Sequence, residues 1–252
     1  MIHFVGAGCG AADLITVRGK NLLEQADVIV YAGSLVNPAL LACKKEGCRV
    51  YNSARMTLEE VLAVMLDAEK RGQTTVRLHT GDPCLYGAIR EQMDELDARG
   101  VDYDYCPGVS AFSGAAAAMK MEYTLPEVSQ SVVITRMAGR TAVPERESVR
   151  SFAAHGATMV LFLSAGLLAE TQAELLAGGY APDTPAAIVY KASWPDEKTC
   201  LCTVGTLADC ARENGISRMA LIVVGNAVKQ SGYARSKLYD PTFATEFRAA
   251  KE

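Results

Sequence analysis

No stretch of this chain is apolar over the roughly 18 residues that a membrane helix requires, and its amino terminus, MIHFVGAGCG, breaks into glycines before it could act as a signal peptide. A cytoplasmic protein is expected. Positive charge is not in excess either: 25 Lys and Arg stand against 29 Asp and Glu, and neither half is basic. That argues against a nucleic-acid partner. The eight cysteines form no CxxC pair. The two nearest arrangements, Cys200-Leu-Cys202 and Cys43 to Cys48, lack a second pair or a histidine at zinc-ligand spacing, so no metal site is expected and the thiols read as reduced, small hydrophobes.

What is present is the composition of an ordinary globular protein, 50% hydrophobic and 21% charged over 252 residues. Short β-branched runs alternate with amphipathic stretches of helical length, which is the pattern of βα units. Strands are expected at Ile2–Val5, Val28–Tyr31, Val76–His79 and Tyr103–Cys106. Helices are expected at Leu14–Gln25, Thr57–Arg71, Gly87–Arg99 and Ser110–Met121. The loop around Tyr123-Thr-Leu-Pro126 interrupts the pattern, which divides the chain into an α/β domain over 1–121, a second over 122–240 and a tail over 241–252. The second half alternates again, with strands at Val132–Arg136, Thr158–Leu163, Ala186–Tyr190, Thr199–Val204 and Ala220–Val224, and helices at Gly166–Ala177 and Leu207–Glu213. Each domain is expected to be a mixed sheet flanked by helices.

Three glycine loops stand at strand ends. GAGCG follows the first strand and resembles a dinucleotide fingerprint, yet the strand DVIVY ends in Tyr31-Ala-Gly where the ribose-binding acid should be. No GK[ST] follows, so it is not a phosphate-binding P-loop. By itself this loop serves equally as a tight βα turn that needs glycine for backbone reasons. In the second loop, Thr80-Gly81-Asp82-Pro83, Asp82 before proline is suited to cap the helix that follows, and the position is also where open α/β sheets bind ligands. The third, Pro107-Gly108-Val109-Ser110-Ala111, offers Ser110 as a cap and small side chains that let another body approach. Three such loops make a ligand crevice a stronger reading than any one of them.

GAGCGAADLITVRG, YAGSLV, HTGDPCLYGAIREQ, PGVSAFSGAAAA, VVITR and YKASWPDEK together resemble the tetrapyrrole methylases, the class III S-adenosylmethionine-dependent methyltransferases. YAGSLVNP, LYGAIREQMDEL and ASWPDE are most similar to the branch that methylates carbon 11 of a corrin precursor in cobalamin biosynthesis. The resemblance runs from Val5 to about Val228. It implies two α/β domains with S-adenosylmethionine in the trough between them, and a homodimer. It also implies cofactor contacts from Thr80, Gly81, Asp82, Leu85 and Tyr86, from Ser110 and Ala111, from Leu163 and Ser164, and from Ala192 and Ser193. Cys9 stands where the family usually has proline, and Ala12 where it usually has an acid, so a contact from that loop would be made by backbone.

The chemistry so implied needs no metal and no triad, because a sulfonium carries its own leaving group; positioning and exclusion of water are what remain for the protein. His3, His79 and His155 suit proton transfer by their titration range, but each has a structural reading: within the first strand, at the end of another, and in the Ala154-Gly156 turn. A corrin precursor carries acetate and propionate carboxylates, so Arg and Lys donors are expected around it. Arg55, Arg136, Arg140 and Lys191, with Tyr31 and Ser34, are the candidates at strand ends. Trp194, the only tryptophan, is either a ligand contact or an anchor. The alternatives are a sister methylase acting at another ring carbon or on uroporphyrinogen III, diphthine synthase, and, from another class, a nucleotide-dependent oxidoreductase built on GAGCGA.

Overall fold

The computed structural model describes residues 1–33 and 35–250. The chain divides into two units, Met1–Ala115 with Lys191–Glu197, and Ala116–Tyr190 with Lys198–Glu252.

In the first unit, strands β1 (Ile2–Gly6), β2 (Val28–Tyr31), β3 (Arg49–Asn52), β4 (Thr75–His79) and β5 (Tyr103–Cys106) form one sheet in the order β3-β2-β4-β1-β5. Every pairing in it is parallel. Parallel strands are covered on both faces, and alternate residues here enter two cores. Phe4, Val28 and Val30 pack with Met65 and Leu96 on one face, while Val5, Ile29, Val76 and Leu78 pack with Leu23 on the other. Helix α1 (Val17–Gln25) starts where the Thr16 hydroxyl accepts from Gly19 N, after a separate 3₁₀ turn at Ala12–Leu14, so the single helix expected from Leu14 is broken by its own cap. Helix α2 (Leu58–Lys70) opens with a reciprocal capping box, Glu60 N to the Thr57 hydroxyl at 3.3 Å and Thr57 N to the Glu60 carboxylate at 2.8 Å. Helix α3 covers Arg90–Asp97 and α4 Ala111–Met119.

In the second unit, β6 (Val132–Arg136), β7 (Thr158–Phe162), β8 (Pro185–Tyr190), β9 (Lys198–Thr203) and β10 (Ala220–Val224) are ordered β6-β7-β10-β8-β9. Only β6 and β7 run parallel. Mixing of strand directions is therefore confined to this sheet, and the first is parallel throughout. Helices α5 (Val149–Ala153), α6 (Leu168–Ala177) and α7 (Leu207–Glu213) pack one core with Met159, Leu161, Ile188 and Ile222. Near the carboxyl terminus the Arg248 guanidinium donates to the Leu238, Asp240 and Phe243 carbonyls. Among the described residues no helix is long and apolar enough to cross a membrane.

Candidate functional site

Because β4, β1 and β5 are adjacent and parallel, their carboxyl ends lie side by side, and each ends in one of the three glycine loops. Gly8 and Gly81 exchange backbone hydrogen bonds, at 3.2 and 2.9 Å, and Ala7 N donates to the His79 carbonyl at 2.7 Å. A Cβ on Gly6 would stand 2.6 Å from the Gly108 Cα and 2.7 Å from the Gly81 carbonyl. Only glycine permits this approach.

Asp82 ties the junction together. One carboxylate oxygen accepts from Cys84 N at 2.9 Å and from the Tyr105 hydroxyl, and the other accepts from Gly108 N at 2.9 Å. Burial pushes its pKa upward, but the hydrogen bonds from Tyr105, Cys84 and Gly108 outweigh that and hold it below the ordinary carboxylate value. The expectation that Asp82 caps the following helix is overturned. Tyr86 and Ala88 both have positive φ, 57° and 48°, which stops a helix from forming at Gly87, and α3 begins only at Arg90 with Ile89 before it. Asp82 joins strand ends instead, through an Asx turn to Cys84.

Several segments far apart in sequence meet the first loop. The Ser193 hydroxyl accepts from Ala11 N at 2.9 Å and lies 3.5 Å from the Cys9 thiol. The Asn37 amide donates to the Gly10 carbonyl at 3.0 Å. A Cβ on Gly10 would strike the Ala192 carbonyl and the Trp194 ring, and one on Gly114 would stand 2.8 Å from the Cys9 sulfur. Cys9 is thus buried between Gly114 and Ser193. Lys191 pairs with Asp196 at 2.6 Å, and its ammonium stands 5.3 Å above the Trp194 ring. Lys191 and Ser193 also have positive φ, 47° and 66°. Non-glycine residues held in this region store strain that the surroundings must enforce, a recurrent property of ligand sites.

Beside the junction a cavity of about 280 Å³ is bordered by Ala32, Met56, Thr57, Thr80, Leu85, Tyr86 and Glu91, with Arg77, His79 and Gln92 at its wall. Burial lowers the Arg77 pKa to about 10, so the guanidinium remains charged at neutral pH. Burial, and then the Arg77 charge, push His79 down to about 3, so the imidazole is neutral.

The structure brings together Cys9, Gly81, Asp82, Ser110, Ala111, Ala192 and Ser193 around the junction, with Thr80, Leu85 and Tyr86 at the cavity. Tyr31 packs with the core on the opposite face of the sheet, and Arg55 is exposed and outside the cavity lining. Ser34 lies outside the described residues. Four candidates belong to the second unit. Leu163 is 63% exposed with φ 51°. The buried Ser164 hydroxyl accepts from Met137 N at 2.9 Å and donates to the Phe162 carbonyl at 2.7 Å. Arg136 donates to the Met137, Thr141 and Ala142 carbonyls, folding the loop that displays the exposed Arg140. His3 pairs with Asp104 at 2.5 Å across β1 and β5, and His155 is an exposed turn residue. Arg77 and Gln92 were not among the candidates. Their signal was an arginine inside VRLH, in a strand that should read as continuously apolar, and a glutamine on the buried face of α3.

Residues 1–208 match the family model of the tetrapyrrole (corrin/porphyrin) methylases. The cobalt-precorrin-4 C(11)-methyltransferase of Methanocaldococcus jannaschii is 50% identical over 247 residues, 98% of this chain and 95% of the relative. The X-ray structure of a cobalamin biosynthetic enzyme, cobalt precorrin-4 methyltransferase, superposes with a TM-score of 0.88 at 48% identity, covering 90% of this chain and 95% of that one. The uroporphyrin-III C-methyltransferase of Thermus thermophilus, complexed with S-adenosylhomocysteine, superposes with a TM-score of 0.77 at 25% identity, covering 91% and 99%.

Proposed function

The chain belongs to the tetrapyrrole (corrin/porphyrin) methylases, and on that premise we propose that it transfers the methyl group of S-adenosylmethionine to carbon 11 of precorrin-4 or cobalt-precorrin-4 in cobalamin biosynthesis. The observation that carries this reading is identity of 50% sustained over 98% of the chain with a relative named for that reaction. It is an S-adenosylmethionine-dependent methyltransferase.

The residues of the first unit fit that cofactor. Gly81, Ser110 and Ala111 keep the junction lined by small groups, and Gly81 packs so closely on the third loop that a Cβ on it would stand 3.3 Å from Ala111 N. We assign Thr80, Gly81 and Asp82 as its main contacts, with Leu85 and the half-exposed Tyr86 supplying apolar surface. Cys9, Ala192 and Ser193 belong to the same assignment through the first loop, and Leu163 and Ser164 are its second-unit candidates. The bound cofactor supplies an activated methyl group and its own leaving group. Asp82 and Tyr105 hold the junction rigid, and a fixed junction is what orientation requires, a contribution of up to roughly 7–11 kcal/mol to lowering the barrier. Tyr31, Arg55, Arg136, Arg140 and Lys191 remain proposed substrate donors, each testable by its effect on the KM for the tetrapyrrole.

The proposal includes a cytoplasmic homodimer with no nucleic-acid partner, consistent with the acidic balance of charge; light scattering reads the dimer. Isothermal titration with S-adenosylhomocysteine, with NADH as control, tests the class, and mass spectrometry with NMR of the methylated product tests the carbon. Micromolar binding of S-adenosylhomocysteine alone and a methyl group on carbon 11 are expected. A methyl group on any other carbon would make the chain a sister methylase.

A further inference from the structure

A buried charge without a counter-charge is costly unless something arrives to match it, and the wall of the first-unit cavity holds such a charge. Arg77 is 6% exposed. Both of its hydrogen bonds go to neutral acceptors, from Nε to the Gln92 amide oxygen at 2.9 Å and from Nη1 to the Val30 carbonyl at 3.2 Å. A guanidinium has five N–H donors, and among the described residues no carboxylate lies within 4.0 Å of this one. Glu91, exposed at the cavity rim, makes no ion pair with it. The Gln92 amide nitrogen donates to the Ala88 carbonyl at 2.8 Å, which turns its oxygen toward Arg77. Two residues along β4, and so on the same face, His79 is 4% exposed and its Nε2 has no hydrogen-bond partner. Unmatched buried polar atoms are rare enough to require a cause.

We propose that this cavity is an anion subsite in which Arg77, with His79 beside it, receives a carboxylate of the reaction's own ligands. The inference rests on the methyltransferase reading. A corrin precursor carries acetate and propionate carboxylates around its ring, and S-adenosylmethionine carries one on its methionine part. A planar carboxylate matches the guanidinium fork, and an ion pair formed away from water is stronger than one at the surface. Gln92 is then the selecting residue: its neutral amide orients Arg77 without satisfying its charge, so the charge is kept for the ligand.

Gln92→Glu tests this directly, because it supplies an internal counter-charge with almost no change of shape. The variant is expected to melt at or above the wild-type temperature and to lose ligand affinity by about tenfold or more, the scale of one charge-assisted hydrogen bond. If the carboxylate comes from the macrocycle, the KM for the tetrapyrrole rises while the affinity for S-adenosylhomocysteine holds. If it comes from the cofactor, affinity for S-adenosylhomocysteine falls, and that for methylthioadenosine, which lacks the amino-acid carboxylate, does not. Either result supports the subsite. Arg77→Met, where it folds, should show the same loss. A folded Gln92→Glu protein whose KM and S-adenosylhomocysteine affinity both stay within about twofold of wild type overturns it. Should the wild-type chain fail to bind S-adenosylhomocysteine, the methyltransferase reading is what has failed, and the subsite is then read by NMR of ¹⁵N-histidine. Sodium propionate should shift the His79 ring signals in wild type and not in Gln92→Glu, and the absence of any wild-type shift overturns the subsite on its own.

Discussion

The two units solve the same problem, covering a five-stranded sheet with helices, and differ in what they leave at the strand ends. In the first, all strands point one way, so the carboxyl ends of β4, β1 and β5 collect three loops at one edge, joined by Asp82 and by glycines in backbone contact. In the second, β10 runs antiparallel to β7 and β8, so neighbouring strand ends alternate between edges. The buried polar groups follow the same division. In the second unit the hydroxyls of Thr158, Ser164 and Thr171 each donate to a carbonyl. The first unit leaves Thr75 Oγ1 and His79 Nε2, both on a strand of its sheet, unmatched and Arg77 without a carboxylate, whereas the second unit's unmatched buried atom among the described residues, Arg248 Nε, lies near the carboxyl terminus and outside its sheet. One sheet is a satisfied scaffold; the other holds polarity in reserve where strand direction concentrates its loops, which is where α/β sheets carry their chemistry.

The sharpest way to break this contrast is to add one methyl group to each unit. In Gly6→Ala the new carbon meets backbone of two other loops, which cannot rotate aside, and a loss of about 3 kcal/mol or more is expected. In Gly166→Ala the nearest atom is the Ser217 carbonyl at 3.5 Å, ordinary contact, and the change should stay within about 0.5 kcal/mol. Urea midpoints compare them, and equal losses would mean that the glycine junction is no tighter than an ordinary loop.

Acid should act next, and on the first unit. The ordinary pKa of the His79 ring is 6.5, and in the fold it is pushed down to about 3 by burial and then by Arg77. Between those values the unfolded chain binds a proton that the folded one refuses, so stability falls as pH drops from 6.5 toward 3. At about pH 5 the loss is of the order of 2 kcal/mol. His79→Gln should flatten that part of the profile. Urea unfolding of both proteins at neutral and acid pH checks it, and identical slopes would remove His79 as the cause.

Asp82→Ala removes acceptors from three donors at once and should cost about 1–3 kcal/mol of stability. It should weaken S-adenosylhomocysteine binding by a larger free energy than that, since it frees the loops that frame the ligand. A large fall in melting temperature with unchanged affinity by titration calorimetry would reduce Asp82 to a structural tie.

The strands were legible almost to the residue where β-branched or aromatic residues recur, at sheet centres and edges alike: Val28–Tyr31, Tyr103–Cys106, Val132–Arg136 and Ala220–Val224 all fall where the runs indicated. The edge strand Arg49–Asn52 was not, because its four residues are half-buried and carry arginine and asparagine, which blur the period. The short helix Val149–Ala153 was missed for want of length. The glycine loops announced themselves by composition, and their convergence followed from parallel strands. What stayed hidden is long-range: Ser193 reaching Ala11 across 182 positions, and Arg77, whose charge only becomes informative once its neighbours are known to be neutral.

The smallest expected effect concerns that long-range tie. The Ser193 hydroxyl accepts a hydrogen bond from Ala11 N, and the residue sits at φ 66°, so two opposing terms meet at one residue. Ser193→Ala loses the bond and keeps the strain, and should cost about 0.5–1.5 kcal/mol. Ser193→Gly also loses the bond, but glycine adopts this backbone without the roughly 1 kcal/mol penalty of a side chain, so it should be nearly neutral in stability. Affinity separates the terms differently. If the hydroxyl is what holds the first loop for the cofactor, both variants weaken S-adenosylhomocysteine binding alike, by a few-fold at about 0.5–1 kcal/mol, whatever their melting temperatures. If Ala weakens binding and Gly does not, the packing of Gly10 against Ala192 and Trp194 holds the loop, and the Ser193 side chain serves only the backbone turn it occupies.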